Sequence, residues 1–101
     1  MKVPPTITIG PHTYSVEVCD DIPGSLIGET NSMQLTIRLH SDMPESVTAE
    51  TLLHECLHGI WDLTPLRDFD DSVEESVVAA LAPPLLDLLR RNPKLVALLV
   101  P

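Results

Sequence analysis

The sequence predicts an α+β fold, in which a small N-terminal antiparallel sheet of three or four strands is followed by helices. Two observations support this prediction. Apolar and polar residues alternate with period two at 3–9, 14–18 and 33–39, a pattern that is typical of strands. After His40 the apolar residues recur at helical spacing, so the change from sheet to helices falls near residue 41.

Turn signals separate the predicted strands: "GPH" at 10–12, "DDIPG" at 20–24 and "ETNS" at 29–32. A further short strand is expected at 26–29, joined through residues 30–32 to the strand that ends at His40. Two hairpins result, and they predict an antiparallel sheet.

The first predicted helix carries the segment "TLLHECLHGIWDL" at 51–63. Its start is indicated by "SDMPE" at 41–45, where Asp42 can act as the N-cap and Pro44 fits the first turn. The helix is expected to end near Thr64, because the residue before Pro65 disfavours helical geometry.

A second helix is predicted to begin near Asp71 or Ser72. Pro83 and Pro84 should kink or break it, since each removes a backbone donor and crowds the preceding turn. The remainder, "LLDLLRRNPKLVALLVP", is predicted as one more helical stretch that is interrupted at 92–93. Five apolar residues of the second helix are expected to face the core: Val73, Val77, Val78, Leu81 and Leu85.

The chain of 101 residues has the size of a single domain, in which residues 1–40 form the sheet part and residues 42–101 the helical part. Fifteen acidic and six basic side chains give a net charge of −9, which repels phosphate backbones and anionic lipids. Neither a nucleic acid nor a membrane is therefore expected as a partner. No apolar run has the length of a signal peptide core or a membrane span, so a cytoplasmic location is expected.

His54 and His58 are four residues apart on the first helix, so both project from one face and can reach the same ion. Glu55 is rotated from His54 by about 100°, and it can flank that ion and deprotonate a bound water. This is the chemistry of the H-E-x-x-H motif, in which zinc acidifies the water and the glutamate takes its proton. The plain alternative is a pair of half-buried histidines without a metal.

A catalytic zinc site uses three protein ligands and keeps one position open to water. A metzincin is excluded, because Trp61 and Thr64 occupy the positions of its glycine and third ligand. Cys56 points away from the two histidines and is expected to be a buried thiol. Asp62 lies on the correct face, but its short side chain better suits a hydrogen bond to a ligand imidazole.

Two glutamates at the start of the second helix, Glu74 and Glu75, remain as candidates for the third ligand. Either would complete the gluzincin arrangement of two histidines, one glutamate and water. Each also fits a capping box, Glu75 with Ser72 and Glu74 with Asp71. The residues predict that one glutamate caps the helix and the other binds metal, and they leave open which does which.

The segments "TLLHECLHGIWDL" and "EESVVAALAPPLLDLLRRNPKLV" resemble a family of small HExxH proteins encoded by phages and prophages. These proteins are distant relatives of the cytoplasmic gluzincin peptidases that cleave phage-type repressors, and the resemblance covers most of the chain. It implies Zn²⁺ held by His54, His58 and a glutamate of the second helix, with Glu55 as the catalytic general base, in the cytoplasm of a phage host. The match of "LAPPLL" to the small-residue stretch that follows the third ligand in the repressor-cleaving relatives favours Glu75 over Glu74.

The leading hypothesis is therefore a zinc-dependent metallopeptidase acting on a protein or peptide substrate. In zinc peptidases an edge strand beside the active helix commonly receives the substrate, and residues 36–40 would line the cleft if their strand is the exposed edge. The alternative is a non-catalytic module in which zinc ties two helices together and the acidic surface binds a host or virion protein. His12, Tyr14 and His40 are expected to be surface or edge residues rather than catalytic.

Overall fold

The computed structural model describes residues 3–22 and 27–101. Four strands come first: β1 (Thr6–Ile9), β2 (His12–Cys19), β3 (Gly28–Asn31) and β4 (Thr36–His40). They are followed by α1 (Glu45–Trp61), a short 3-10 helix (Pro65–Asp68), α2 (Asp71–Arg91) and α3 (Pro93–Leu99). The predicted α+β fold, with an N-terminal sheet followed by helices, is confirmed. The predicted strand at 26–29 overlaps β3. Leu26, the first residue of the predicted strand, lies outside the described residues.

The four strands form one mixed sheet in the order β1-β2-β4-β3. The β1–β2 and β3–β4 pairs are antiparallel as expected, but β2 and β4 run parallel. The prediction of an antiparallel sheet is therefore wrong for the central pair. The chain passes from β2 to β3 at the far edge of the sheet, and the β3–β4 hairpin then places β4 between β3 and β2. In this position β4 runs in the same direction as β2. Period-two alternation is the same for both pairings, so the pattern could not distinguish them.

The central position of β4 follows from its side chains. Ile37 and Leu39 are both fully buried, and they form the core with Ile9 and Tyr14. β3, with the sequence GETN, is more polar and lies at the sheet edge. The strand at 36–40 is not an exposed edge, so the condition for its lining the cleft is not met. The expectation for Tyr14 is corrected, because it is a core residue that is only 2% exposed.

Helix α1 packs across the sheet, and a glycine permits the close approach. A Cβ atom at Gly59 would come within 2.8 Å of Ile9 Cδ1, which is closer than unbonded carbon atoms tolerate. The side chain of Trp61, at the end of the same helix, is buried as well. The sheet and α1 thus share one aliphatic core.

The start of α1 differs from the prediction. The helix begins at Glu45 with Pro44 as its N-cap residue, and no side chain caps it. Asp42 is therefore not the N-cap, because the ring of Pro44 keeps the preceding residue out of helical geometry. At the other end α1 stops at Trp61, and Thr64 instead caps the 3-10 helix by accepting a hydrogen bond from the backbone of Leu66.

Helix α2 runs without a break through Pro83 and Pro84, where a kink or break was predicted. Each proline leaves one carbonyl of the preceding turn without its helical partner, here those of Ala79 and Ala80. Both alanines and both prolines are exposed, so water can satisfy these carbonyls and the helix continues. Asn92 then ends α2, and α3 follows directly.

The apolar residues of α2 are less buried than predicted. Val78 is 2% exposed and Ala82 is fully buried, while Leu85 is partly buried. The other three residues expected to face the core are between 41% and 47% exposed: Val73, Val77 and Leu81. Packing on α1 alone covers a narrow stripe of a helix, whereas the prediction assumed a wider buried face. Within the described parts of the chain, no helix has the length and apolarity needed to cross a membrane.

Candidate metal centre

A cleft of about 490 Å³ opens between α1, the edge strand β3 and the first turns of α2. Helix α1 contributes the two motif histidines and the glutamate between them, β3 contributes Thr30, and α2 contributes two glutamates: His54, His58, Glu55, Glu74 and Glu75. Thus all four predicted site residues lie in one cleft, together with Glu74, the other candidate for the third ligand.

Three of these side chains converge. His54 Nε2 lies 3.2 Å from His58 Nε2, and the Glu75 carboxylate lies 3.1 Å from His54 Nε2 through Oε1 and 2.9 Å from His58 Nε2 through Oε2. Zinc bonds of about 2.0–2.1 Å at tetrahedral angles separate two ligand atoms by about 3.3 Å. The chemistry and spacing of this donor set therefore fit a zinc ion, with Glu75 rather than Glu74 as the third member.

Glu74 makes a different contact. Its Oε2 accepts a hydrogen bond of 2.6 Å from His58 Nδ1, and both side chains are 17% exposed, against 58% for Glu75. A proton on Nδ1 leaves the lone pair of Nε2 directed at His54 and Glu75. Metal-binding histidines usually donate their other N–H in this way, which fixes the ring and its tautomer.

The prediction that one of the two glutamates caps α2 is wrong. The N-cap of α2 is Asp70, whose carboxylate accepts hydrogen bonds from the backbone and the hydroxyl of Ser72. These bonds hold the pKa of Asp70 below its usual value. Because Asp70 rather than Asp71 or Ser72 caps the helix, both Glu74 and Glu75 are available to reach across to α1.

The charge state of His58 offers a second explanation of the same geometry. Burial lowers the pKa of its imidazole, but the hydrogen bond to Glu74 and the charges of the surrounding carboxylates outweigh burial and raise the pKa above the usual value. A protonated His58 could therefore donate to Glu74 and Glu75 without any metal. A cation or a proton must lie among these atoms, and metal titration distinguishes the two.

Glu55 is held beside this group by the edge strand. Thr30 Oγ1 lies 2.7 Å from Glu55 Oε1 and 2.9 Å from its backbone oxygen, with both oxygens as acceptors. Gly28 permits the contact, since a Cβ there would come within 2.7 Å of Thr51 Cγ2 and 3.1 Å of Glu55 Oε2. Glu55 is only 6% exposed, and this burial raises the pKa of its carboxyl, although Thr30 and both histidines oppose the shift.

Two further predictions concern residues near the histidines. Cys56 is not among the residues that line the cleft, and burial, with a contribution from Glu55, raises the pKa of its thiol to about 11. Asp62 does line the cleft, but the imidazole hydrogen bond expected of it is made by Glu74 instead. Asp62 lies one turn beyond His58 along α1, whereas Glu74 approaches the outer side of the ring from α2.

Sequence reasoning missed Thr30 altogether and gave Glu74 no contact to an imidazole. No local signal could have found Thr30, because its contact with Glu55 joins residues that are 25 positions apart. For Glu74 a signal existed, since Asp70 is itself a good N-cap residue and would have freed both glutamates.

Comparison of the chain with protein-family models found no matching family. Comparisons with curated proteins and with solved structures likewise found no significant match.

Proposed function

We propose that this protein is a zinc-dependent metallopeptidase of the gluzincin type, with Zn²⁺ held by His54, His58 and Glu75. The observation that carries the proposal is the convergence of the three donor groups at 2.9–3.2 Å from one another. It is supported by Glu55, a buried carboxylate that lies beside the histidines on the same helix and in the same cleft.

Each residue has a role that follows from its position. Zn²⁺ bound there would acidify water and polarise the carbonyl of a peptide bond. Glu55 takes the proton of the attacking water and delivers it to the leaving amine. The hydrogen bond from Thr30 holds one oxygen of Glu55 in place. Burial raises the pKa of the Glu55 carboxyl, which brings this group closer to the range in which a general base works at neutral pH.

Glu74 is the positioning residue of the proposed site. It accepts the His58 Nδ1 proton, so it orients the ring and keeps Nε2 free for the metal. Its burial beside His58 also strengthens this bond relative to one made in water. Glu74 acts on the substrate only through His58.

The position of the edge strand β3 favours a peptide as the substrate. Ile27, Gly28, Glu29 and Thr30 line one side of the cleft, and β3 pairs only with β4 among the described strands. An extended peptide can therefore add to the sheet at this edge.

The charge of the cleft favours a cationic peptide. Six carboxylates line the cleft, and its described lining contains no lysine or arginine: Glu29, Glu50, Glu55, Asp62, Glu74 and Glu75. Two of the six bond or approach an imidazole, and a bound metal offsets part of the remaining charge. The residual negative potential attracts lysine-rich or arginine-rich segments and repels acidic ones.

A non-catalytic role is the second candidate, and one observation favours it. Glu74 and Glu75 both contact His58 and so link α2 to α1. A metal at this position would strengthen the link even if no substrate entered the cleft. In that case the acidic surface of the domain would bind a protein partner.

The two candidates separate on Glu55→Gln, which removes the general base and leaves the three proposed ligands in place. For a peptidase we expect cleavage to fall by about 10²–10⁴-fold while zinc content and fold are retained. New protein termini would be compared across cells expressing wild type, Glu55→Gln and Glu45→Gln. The last variant removes a carboxylate from the same helix at its exposed first turn.

Three outcomes are informative. Termini that appear with wild type and Glu45→Gln but not with Glu55→Gln support the peptidase. If the purified wild type binds zinc but cells expressing wild type and Glu55→Gln contain the same termini, the result supports the structural module. Protein that binds no zinc contradicts both candidates.

A further inference from the structure

One exposed side of α2 carries a row of apolar residues. Val73, Val77 and Leu81 are 41%, 43% and 47% exposed, and Leu88 is 47% exposed. Pro84 is exposed as well. With about 100° per residue, these five positions fall within a narrow arc on one side of the helix. Single exposed apolar side chains are ordinary, whereas a row of five along a helix is typical of a contact surface. We call these five residues the α2 stripe.

The α2 stripe is nearly symmetric about the middle of the helix. The centre of α2 is Leu81; Val73 and Leu88 lie eight and seven residues from it, and Val77 and Pro84 lie four and three. A second copy of the same helix in antiparallel orientation, with the two-fold axis beside Leu81, therefore places Val73 opposite Leu88 and Val77 opposite Pro84. Such self-complementarity is what a two-fold symmetric contact requires.

Charge is distributed along α2 in a way that favours the same orientation. Three acidic side chains and one basic side chain lie at or just before its N-terminal end: Asp68, Asp70, Asp71 and Arg67. Three of the six basic side chains of the chain lie at or just beyond its C-terminal end: Arg90, Arg91 and Lys94. Antiparallel pairing brings each acidic end against the basic end of the other copy, while parallel pairing brings like charges together.

We infer that the protein forms a homodimer through the α2 stripe, with the two α2 helices antiparallel. Leu81 of each copy packs near the two-fold axis, Val73 packs against Leu88 of the second copy, and the charged ends pair at both sides. The salt bridge of Arg91 with Asp87 is exposed on both partners, so it can be exchanged for a contact across the dimer at little cost.

The dimer does not depend on metal binding or on catalysis. The stripe lies on a different side of α2 from Val78 and Ala82, which pack on α1. The metal centre stays accessible, because the cleft is formed with α1 and β3. Its test therefore succeeds or fails independently of the proposed peptidase activity.

The first test is the mass of the purified protein by light scattering and sedimentation. We expect wild type to have twice the mass of one chain, and Leu81→Glu to lose the dimer because it places a charge beside the two-fold axis. Leu98→Glu is the matched control, since Leu98 is 78% exposed on α3 and outside the stripe. A monomeric wild type, or a dimer lost in Leu98→Glu and kept in Leu81→Glu, would overturn the inference.

The second test determines the relative orientation of the two α2 helices. Charge alone does not determine it, because an acidic first turn and a basic last turn also suit the helix macrodipole. Cross-linking with a short bifunctional thiol reagent is measured in a background in which Cys19 and Cys56 are replaced by serine. Leu81→Cys should cross-link to itself. Val73→Cys should cross-link to Leu88→Cys when the two variants are mixed, but not to itself. Efficient cross-linking of Val73→Cys to itself would overturn the antiparallel arrangement.

Discussion

The sheet with α1 is stabilised by different interactions from the pair of helices α2 and α3. Of the eight buried apolar residues of the described chain, five belong to the first region, Ile22 lies in the segment after β2, and α2 contributes only Val78 and Ala82. No residue of α3 is buried. The first region is thus stabilised by an aliphatic core, while α2 is attached through a narrow apolar contact and the polar bonds between His58 and two glutamates. The candidate metal centre lies on the boundary between a well-packed region and a weakly packed one.

The difference in packing should appear most strongly in the free energy of unfolding. Ile37→Ala leaves a cavity in the sheet core, where Ile37 is fully buried, and we expect a loss of about 2–5 kcal/mol. Val78→Ala removes less apolar surface at the α1–α2 contact and should cost about 1–2 kcal/mol. Denaturant unfolding measures both, with Leu98→Ala as an exposed control that stays within about 0.5 kcal/mol of wild type. A larger loss for Val78→Ala would contradict the comparison.

Zinc should stabilise the two regions unequally. At a zinc concentration of 100 times Kd, binding to the folded state adds about 2.7 kcal/mol to its stability. If α2 opens locally before the sheet does, the metal that joins α2 to α1 slows hydrogen exchange most at the amides of α2. Hydrogen exchange with and without zinc measures this effect.

The control for the zinc effect is Glu75→Gln, which removes a proposed ligand while the Asp70 cap of α2 is kept. Zinc should not slow exchange in this variant. Equal protection of β4 and α2 in the wild type would show that α2 does not open separately, and it would break the proposed distinction between the two regions.

The sequence predicted the parts of the fold that depend on local pattern. The helical position of the motif, the start of α2 at Asp71 and the two hairpins all follow from the periodicity or turn signals of short segments. The parallel pairing of β2 with β4 could not be predicted in this way, because it depends on which strands become neighbours. The exposure of Val73, Val77 and Leu81 escaped prediction for a similar reason, since it depends on how much of α2 the rest of the chain covers.

The candidate site was also predictable only in part. The spacing of His54 and His58 predicts one helical face, and the helix places them together. The choice of Glu75 rested on a resemblance, and the geometry brings Glu75 to the histidines; whether the group binds zinc stays a prediction. The sequence did not predict the contact of Glu74 with His58, because the glutamate that does not bind metal was expected to cap the helix, a role that Asp70 performs.

Glu74 provides a smaller test of the boundary between the regions. Glu74→Gln keeps the size of the side chain but removes the charge that fixes His58 Nδ1–H, and we expect zinc affinity to fall by about 10–100-fold. Nitrogen NMR of the His58 ring should also report a change in tautomer, which a general loss of stability would not produce. Glu50→Gln is the control, because it removes a carboxylate that lines the same cleft. Equal losses of affinity in both variants would assign the effect to cleft charge instead.

The smallest expected effect concerns Tyr14, in the core of the first region. Burial raises the pKa of its phenol above the usual value, and the charge of Asp62 adds to the shift. A phenol with a raised pKa in the folded state stabilises the fold fully below pH ~10, the pKa of the unfolded chain. As pH rises above that value the unfolded chain loses its proton first, so the stabilisation declines through the folded pKa.

Because Tyr14 is the single tyrosine of the sequence, the ultraviolet absorbance of the phenolate follows it alone. Unfolding of wild type and Tyr14→Phe should differ in pH dependence only in this alkaline range, and Asp62→Asn should move the phenol titration to a slightly lower pH. A Tyr14 that titrates in the folded protein at or below its unfolded pKa would mean that the core of sheet and α1 is open to water, and the contrast with α2 would be lost.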